Sequence, residues 1–369
     1  MKKVELNKLA KPILIAGPCS AESKEQLRTV AASLKKANAV SLLRAGIWKP
    51  RTRPNSFEGI GEKGLQWLSE IQNEFDLPVI TEVATVQHAQ KALEHGIQNI
   101  WIGARTTVNP FSIQEIVEVL QAEDVAVLIK NPIHADIDLW QGSIERFLKA
   151  GITNIAGVHR GFSSFMSSEY RNLPMWNIPI ELQRRFPDLP IICDPSHIAG
   201  KRSLVPIVAQ KALDLNMAGL MIEVHPDPSS ALSDPKQQLT PEDYIALVSN
   251  LVVRKATPKN QLVISQLEEL RSQIDKIDED LLSTLASRLD LVKQIGEYKL
   301  SENISVFQLE RWNEILASRN KLGEKLNIDK TFIAEFLELV HQESIRIQTN
   351  INSSQKEEDI AASDQSSSK

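Results

Sequence analysis

A thiol, an imidazole and two carboxylates stand out in this sequence: Cys19, His197, Glu223 and Asp234. Together they form a mixed sulfur, nitrogen and oxygen donor set suited to a divalent transition metal such as Mn, Fe, Co or Zn. They are scattered over four segments, so spacing alone says little. Cys19 could be a small buried hydrophobe and Asp234 the turn residue of LSDPK. Six cations form a second group: Arg44, Lys49, Arg51, Arg105, Lys130 and Arg160. The first three lie in RAGIWKPRTRPNSFEGIG (44–61), where Glu58 is the only acid and Pro50 and Pro54 stiffen the backbone. Stiffly held, forked donors match phosphate and carboxylate groups. In a chain of net charge −5, six such cations at one mouth imply a polyanionic ligand with more than one phosphate or carboxylate. A metal beside an anion pocket suits Lewis-acid activation of a carbonyl. Lys130 could bind an anion or form a Schiff base.

These residues need elements that bring them together. Apolar, β-branched runs at 12–19, 39–47, 78–83, 99–105, 126–131, 154–160, 190–197 and 220–225 read as strands. Amphipathic stretches at 24–36, 63–75, 86–94, 112–123, 142–149, 203–215 and 241–253 read as the helices between them. Strand alternating with helix implies parallel strands and right-handed crossovers. Eight such units in ~250 residues fit a closed (β/α)8 TIM barrel. An open doubly wound sheet is the alternative, but AGPCSAES after the first strand is no dinucleotide fingerprint. The strands end in Cys19, Arg44, Glu82, Arg105, Lys130, Arg160, His197, and Glu223 with His225. Barrel chemistry gathers at those ends.

The barrel is expected over 1–253 and a linker over 254–264, followed by a small all-α domain over 265–350 and a disordered tail over 351–369. Leu267, Leu270, Ile274, Ile277, Leu281, Leu285, Leu289, Val292 and Ile295 recur at helical spacing, predicting one helix from Ser265 to about Leu300. Shorter helices follow at about 306–319 and 329–348. Two short partners cannot cover so long a stripe, so a second copy of the domain is expected. Net charge argues against nucleic acid and acidic membranes. No apolar run approaches the ~18 residues of a membrane span. Cys19 and Cys193 are too few for a disulfide framework, which points to free thiols in the cytoplasm. Cys193 itself reads as core.

AGPCSAES, RAGIWKPRT, IGARTT, the strand-end Lys130, GVHRGF, DPSHIAGKRSLV and GLMIEVHPDPSSALSDPKQQL run in order from 13 to 239. They resemble the 3-deoxy-D-arabino-heptulosonate 7-phosphate synthase family, in its compact type Iβ branch. The resemblance implies metal-dependent condensation of phosphoenolpyruvate with D-erythrose 4-phosphate. It makes Cys19, His197, Glu223 and Asp234 the metal ligands. Arg44, Lys49, Arg105, Lys130 and Arg160 would hold phosphoenolpyruvate, with Lys49 and Lys130 also catalytic. Arg51, Thr52 and Asp234 would take erythrose 4-phosphate. A sibling family uses arabinose 5-phosphate; KPRT and Cys19 favour the seven-carbon product. KNPIHADID departs from the KRG-like sequence usual after strand 5.

LEELRSQIDKIDEDLLSTLASRLDLVKQIGEYK, followed by two shorter helices and SIRIQ, resembles the all-helical chorismate mutases, which form interlocked dimers. Arg288 and Lys299 are 11 residues apart and share a helix face, as do Ser344 and Gln348. The resemblance implies conversion of chorismate to prephenate, with Arg271, Arg288, Lys299, Arg311, Ser344 and Gln348 in the pocket. Lys299 and Gln348 would be catalytic, and the off-face Arg271 would enter a partner's site. Gln308 and Trp312 stand where that family usually carries acids. A catalytically weak sensor and dimerisation module is the alternative. Fusing an early step to a late one implies prephenate feedback on the barrel, in a homodimer or homotetramer.

Overall fold

Branched apolar residues are stiff at χ1 and suit a pleated sheet, and the sequence supplies eight short runs of them. In the computed structural model, which describes residues 3–49, 57–165, 167–254 and 260–366, all eight runs become strands. They are β1 (Ile13–Gly17), β2 (Leu42–Arg44), β3 (Val79–Val83), β4 (Asn99–Ile102), β5 (Ala126–Lys130), β6 (Ile155–His159), β7 (Ile191–Cys193) and β8 (Gly219–Glu223). Each pairs in parallel with the next, and β8 returns to β1 with Ile13 opposite Gly219 and Gly17 opposite Glu223. The sheet is therefore a closed barrel and not an open sheet.

Among the described residues ten α-helices accompany the strands: α1 (Lys24–Lys36), α2 (Lys63–Glu74), α3 (Val86–Glu94), α4 (Ala104–Thr107), α5 (Pro110–Leu120), α6 (Ile137–Lys149), α7 (Asn177–Arg185), α8 (Pro195–Ala199), α9 (Val205–Asp214) and α10 (Pro241–Asn250). Side chains of Ser23, Thr85, Asn109, Asp136, Asp194 and Thr240 accept backbone N–H groups at the starts of α1, α3, α5, α6, α8 and α10. The apolar pattern of the sequence does not mark α7, and it runs strands 4 and 7 on through residues that form α4 and α8. Arg105 and His197 thus sit one turn beyond their strands. Pro195 explains the second case: it ends β7 and opens α8 at its first position.

The alternation of the strands positions the chemistry. Ile15, Leu42, Ile80, Trp101, Leu128, Val158, Ile192 and Met221 fill the barrel interior. Leu43, Val79, Ile100, Val127, Ile129, Ile191 and Leu220 face the helices. Side chains two residues apart share a face. The next inward positions are therefore Arg44, Glu82, Gly103, Lys130, Arg160, Asp194 and Glu223, all at the carboxyl end of the barrel. At the opposite end Asn99 and Asn154 side-chain oxygens accept the N–H groups of Val4 and Leu6, which plug the floor.

The chain divides into two compact units, Met1–Ala256 and Thr257–Lys369. The second consists of α11 (Gln261–Ser301), α12 (Leu309–Lys325) and α13 (Lys330–Ser366). The third helix continues through residues 351–366, which composition alone assigns to a disordered tail; that stretch holds no Gly or Pro to break it. Gly296 lets α11 and α13 approach, because a Cβ there would meet Ile351 and Gln348. On α11, Leu270, Ile274, Ile277 and Leu281 are each more than half exposed. Among the described residues no helix is long and apolar enough to cross a membrane.

Candidate active sites

At the barrel mouth, one donor atom each from Cys19, Glu223 and Asp234 lies within 4.8 Å of the others. Cys19 Sγ is 3.4 Å from Asp234 Oδ2, and His197 Nε2 is 3.7 Å from Glu223 Oε1. The four residues come from the ends of β1 and β8, from α8, and from a turn in which Asp234 takes a left-handed φ of 49°. Asp tolerates that conformation, so the turn and the donor role coexist. Burial, then the neighbouring Glu223, pushes the Cys19 thiol up to about 12. Burial also opposes ionisation of Glu223 and Asp234. His197 with Arg44, and His197 with Arg171, nevertheless hold their carboxyls below the usual range. The His197 imidazole is pulled down by burial against Asp194 and Glu223, which favours the neutral ligand form. Two carboxylates and a thiol packed this closely favour a cation among them, and a metal would draw the proton from the thiol. The donor set fits a divalent transition metal.

The cations ring this cluster. Arg44, 1% exposed, donates through Nη2 to Glu223 at 3.1 Å. Its Nε and Nη1 are buried and have no hydrogen-bond partner among the described residues. Such orphan donors are rare in an interior and suit an anionic ligand. Lys130 Nζ is 2.8 Å from Asp194 Oδ2, and both Arg44 and Lys130 lie over the Trp101 ring, at 5.1 and 5.6 Å. Burial lowers the Lys130 pKa, and Asp194 offsets part of that. Lys49 Nζ is 3.3 Å from Cys19 Sγ; burial opposes its charge, but Cys19 and Glu82 outweigh burial and raise its pKa. Burial lowers the Arg160 pKa, and Arg171 and Arg105 add to the effect. Arg51 and Thr52 lie outside the described residues.

Several members of the site were not singled out from sequence. Asp194 accepts from Lys130, lies 2.8 Å from His197 Nδ1 and 3.8 Å from Arg44, and caps α8. Arg171 bridges Asp234 Oδ1 at 2.8 Å and Gln237 at 2.9 Å, while Gln237 donates to Glu223 at 2.7 Å. Asn131 accepts the Arg160 N–H at 2.7 Å and donates to Gly161 O at 2.9 Å. The strand parity that selects Glu223 also selects Asp194. Arg171 and Gln237 sit in irregular loops, where no periodicity marks them.

The helical unit carries a half-open cavity of about 740 Å³. Arg288, Lys299, Arg311, Ser344 and Gln348 all line it, together with Gln308, Trp312, Arg319 and His341. Arg288 donates to Ser344 Oγ at 2.9 Å, Lys299 to Val306 O at 2.7 Å and Gln348 to Ser344 O at 3.2 Å. Arg271 does not line this cavity; it is an exposed residue of α11, 17 positions before Arg288. Burial, then Arg319, lowers the Arg288 pKa, and burial lowers that of Lys299. Clustered cations in a half-closed pocket suit a small dicarboxylate.

Residues 4–256 match the family model described as the DAHP synthetase I family, and residues 270–349 match that of chorismate mutase type II. A phospho-2-dehydro-3-deoxyheptonate aldolase of Thermotoga maritima is 36% identical over 238 residues, 64% of this chain and 68% of that protein. A 2-dehydro-3-deoxyphosphooctonate aldolase of Helicobacter pylori is 31% identical over 283 residues, 68% of this chain and 98% of that protein. The crystal structure of the Thermotoga maritima DAHP synthase matches with a TM-score of 0.60 at 33% identity, covering 67% of this chain and 71% of that one.

Proposed function

Because the chain belongs to the DAHP synthetase I family and carries a chorismate mutase type II domain behind its barrel, we propose that the barrel mouth and the helical cavity are its two active sites. The protein is a bifunctional shikimate-pathway enzyme, a 3-deoxy-7-phosphoheptulonate synthase and a chorismate mutase. The observation that carries the barrel assignment is Arg44: a buried guanidinium with two open donors, set against the cluster of Cys19, Glu223 and Asp234.

The synthase family is metal-dependent. In this chain Cys19, His197, Glu223 and Asp234 would hold the ion, one of Mn, Fe, Co or Zn. Bound there, it would supply Lewis-acid polarisation of the erythrose 4-phosphate aldehyde. Arg44, Arg105, Lys130 and Arg160 bind the carboxylate and phosphate of phosphoenolpyruvate and aim its C3 at that aldehyde. Lys49 and Lys130 place ammonium groups on either flank of the developing charge. Arg51, Thr52 and Asp234 orient the erythrose phosphate. Water then adds at C2 and phosphate leaves.

In the helical unit Arg288 and Arg311 hold the chorismate carboxylates, while Lys299 and Gln348 stabilise charge on the ether oxygen. The rearrangement needs no covalent group, so holding the compact conformer is the main task. The exposed apolar face of α11 supports pairing with a second copy, whose Arg271 would complete the site, in a homodimer or homotetramer. Prephenate made there feeds back on the barrel. Two free buried cysteines fit a cytoplasmic setting.

The test is turnover by the full-length protein. Phosphoenolpyruvate should be consumed with erythrose 4-phosphate and not with arabinose 5-phosphate, and a chelator should stop it. Preference for the five-carbon sugar, or chelator-resistant activity, would sink the synthase reading. Gln308 and Trp312 in the cavity favour a second reading of the helical unit, a weakly active prephenate sensor. Prephenate binding without chorismate turnover would establish it.

A further inference from the structure

One wall of the helical cavity has no role in the chemistry above. His341 of α13 lies flat on Trp312 of α12, with ring centroids 4.0 Å apart and an interplanar angle of 12°. Phe307 also approaches the imidazole, tilted by 57° with ring centroids 5.9 Å apart. The stack on Trp312 holds the imidazole plane. His341 lines the cavity, and its Nε2 is buried with no hydrogen-bond partner among the described residues. Most buried ring nitrogens are paired, so an orphan one at a cavity wall calls for a ligand atom.

The ligand has one polar group unaccounted for. Chorismate and prephenate each carry two carboxylates, which the arginines take, and chorismate's ether oxygen faces Lys299 and Gln348. A ring hydroxyl remains. Two acids of α12 also line the cavity, Glu310 and Glu314, and Glu314 accepts from Arg311 at 2.9 Å. We propose that His341, held in plane by Trp312, is a binding residue for that ring hydroxyl and sets the preference of the pocket for hydroxylated cyclohexadiene dicarboxylates. This rests on the mutase reading of the cavity.

Charge supports the assignment. Arg288 and Lys299 on α11 face His341, Arg311 and Arg319 line the cavity from α12 together with Glu310 and Glu314, and the polar residues lining it from α13 are the neutral Ser344 and Gln348. Burial, then these α11 cations, holds the imidazole below its usual pKa. A neutral ring both donates and accepts, as a hydroxyl partner must. It also adds no further positive charge to a crowded pocket.

The experiment measures binding of two probes to the full-length protein: a bicyclic ether dicarboxylate mimicking the rearrangement, with its ring hydroxyl and without it. Wild type should prefer the hydroxylated probe by roughly tenfold, the scale of one buried hydrogen bond. In His341→Leu that preference should vanish while affinity for the deoxy probe stays within about twofold. His341→Gln, which keeps a polar tip, should recover part of the preference. Synthase activity of each variant reports that the chain has folded. If His341→Leu keeps the tenfold preference, or weakens both probes equally, the assignment is overturned and the mutase site stands. If wild type binds neither probe, the mutase reading of the cavity falls, and this assignment with it.

Discussion

Single residues decide the barrel chemistry by where strand parity leaves them. Cys19 is the sharpest case, because a buried thiol beside two carboxylates is a poor thiolate without a metal. Cys19→Ser should therefore lower bound metal and reduce synthase kcat/KM by at least the ~10–100-fold typical of damage around a metal ligand. Metal content by elemental analysis and phosphoenolpyruvate consumption check this, while mutase turnover stays unchanged. Lys130 yields a pH prediction. Its cationic form is the one proposed to bind phosphoenolpyruvate, and burial lowers its pKa, so the useful charge would be lost as pH rises through that lowered value. The alkaline limb of kcat/KM for phosphoenolpyruvate should fall below the ~10.4 of an exposed lysine. Lys130→Arg should move the limb upward at reduced activity; a limb that stays put assigns it to another group.

At the scale of elements, alternation and composition were legible in the sequence and loops were not. All eight strands follow from short apolar runs, because a barrel strand is buried on both faces, and the long α11 follows from its helical periodicity. The boundaries differ where one residue overrides a run: Pro195 stops β7, and Gly103 turns the chain from β4 into α4, leaving room for Glu82, whose carboxylate a Cβ there would strike. The cluster of Cys19, Glu223 and Asp234 was readable in residue type, but Arg171 and Gln237 reach it from loops without a pattern. The KNPIHADID departure also finds a physical role. Asn131 ties the end of β5 to the start of the loop after β6, and so fixes the backbone of Arg160. Asn131→Ala would leave that N–H buried and unpaired, at a cost of about 1–3 kcal/mol. The expected outcome is a lower melting temperature and a raised KM for phosphoenolpyruvate with a smaller change in kcat. A variant with unchanged KM would show that Arg160 is held by other contacts.

The whole chain joins two units that each carry a cation-lined pocket, proposed for substrates at the head of a pathway in one and for a dicarboxylate formed later in it in the other. Binding at the second can inhibit the first only if prephenate favours one arrangement of the chain over another, since a ligand shifts an equilibrium by its differential affinity alone. The exposed leucines and isoleucines of α11 offer a means, because a face of that kind gains stability by pairing, and the proposed pairing would tie barrels into one assembly. Two consequences can be separated by cutting the chain after residue 256, the boundary of the first compact unit. The barrel alone should retain phosphoenolpyruvate consumption, since its donor cluster and cations all lie before that boundary. It should lose inhibition by prephenate, and its mass in solution by light scattering should fall by more than the mass of the removed helices. Full-length Arg288→Ala provides the complementary arm, with the helices present but the pocket weakened. It should need on the order of tenfold more prephenate for half-inhibition, the scale of one lost charge-assisted hydrogen bond. Prephenate inhibition that persists in the barrel alone would move the effector site out of the helical unit and into the barrel.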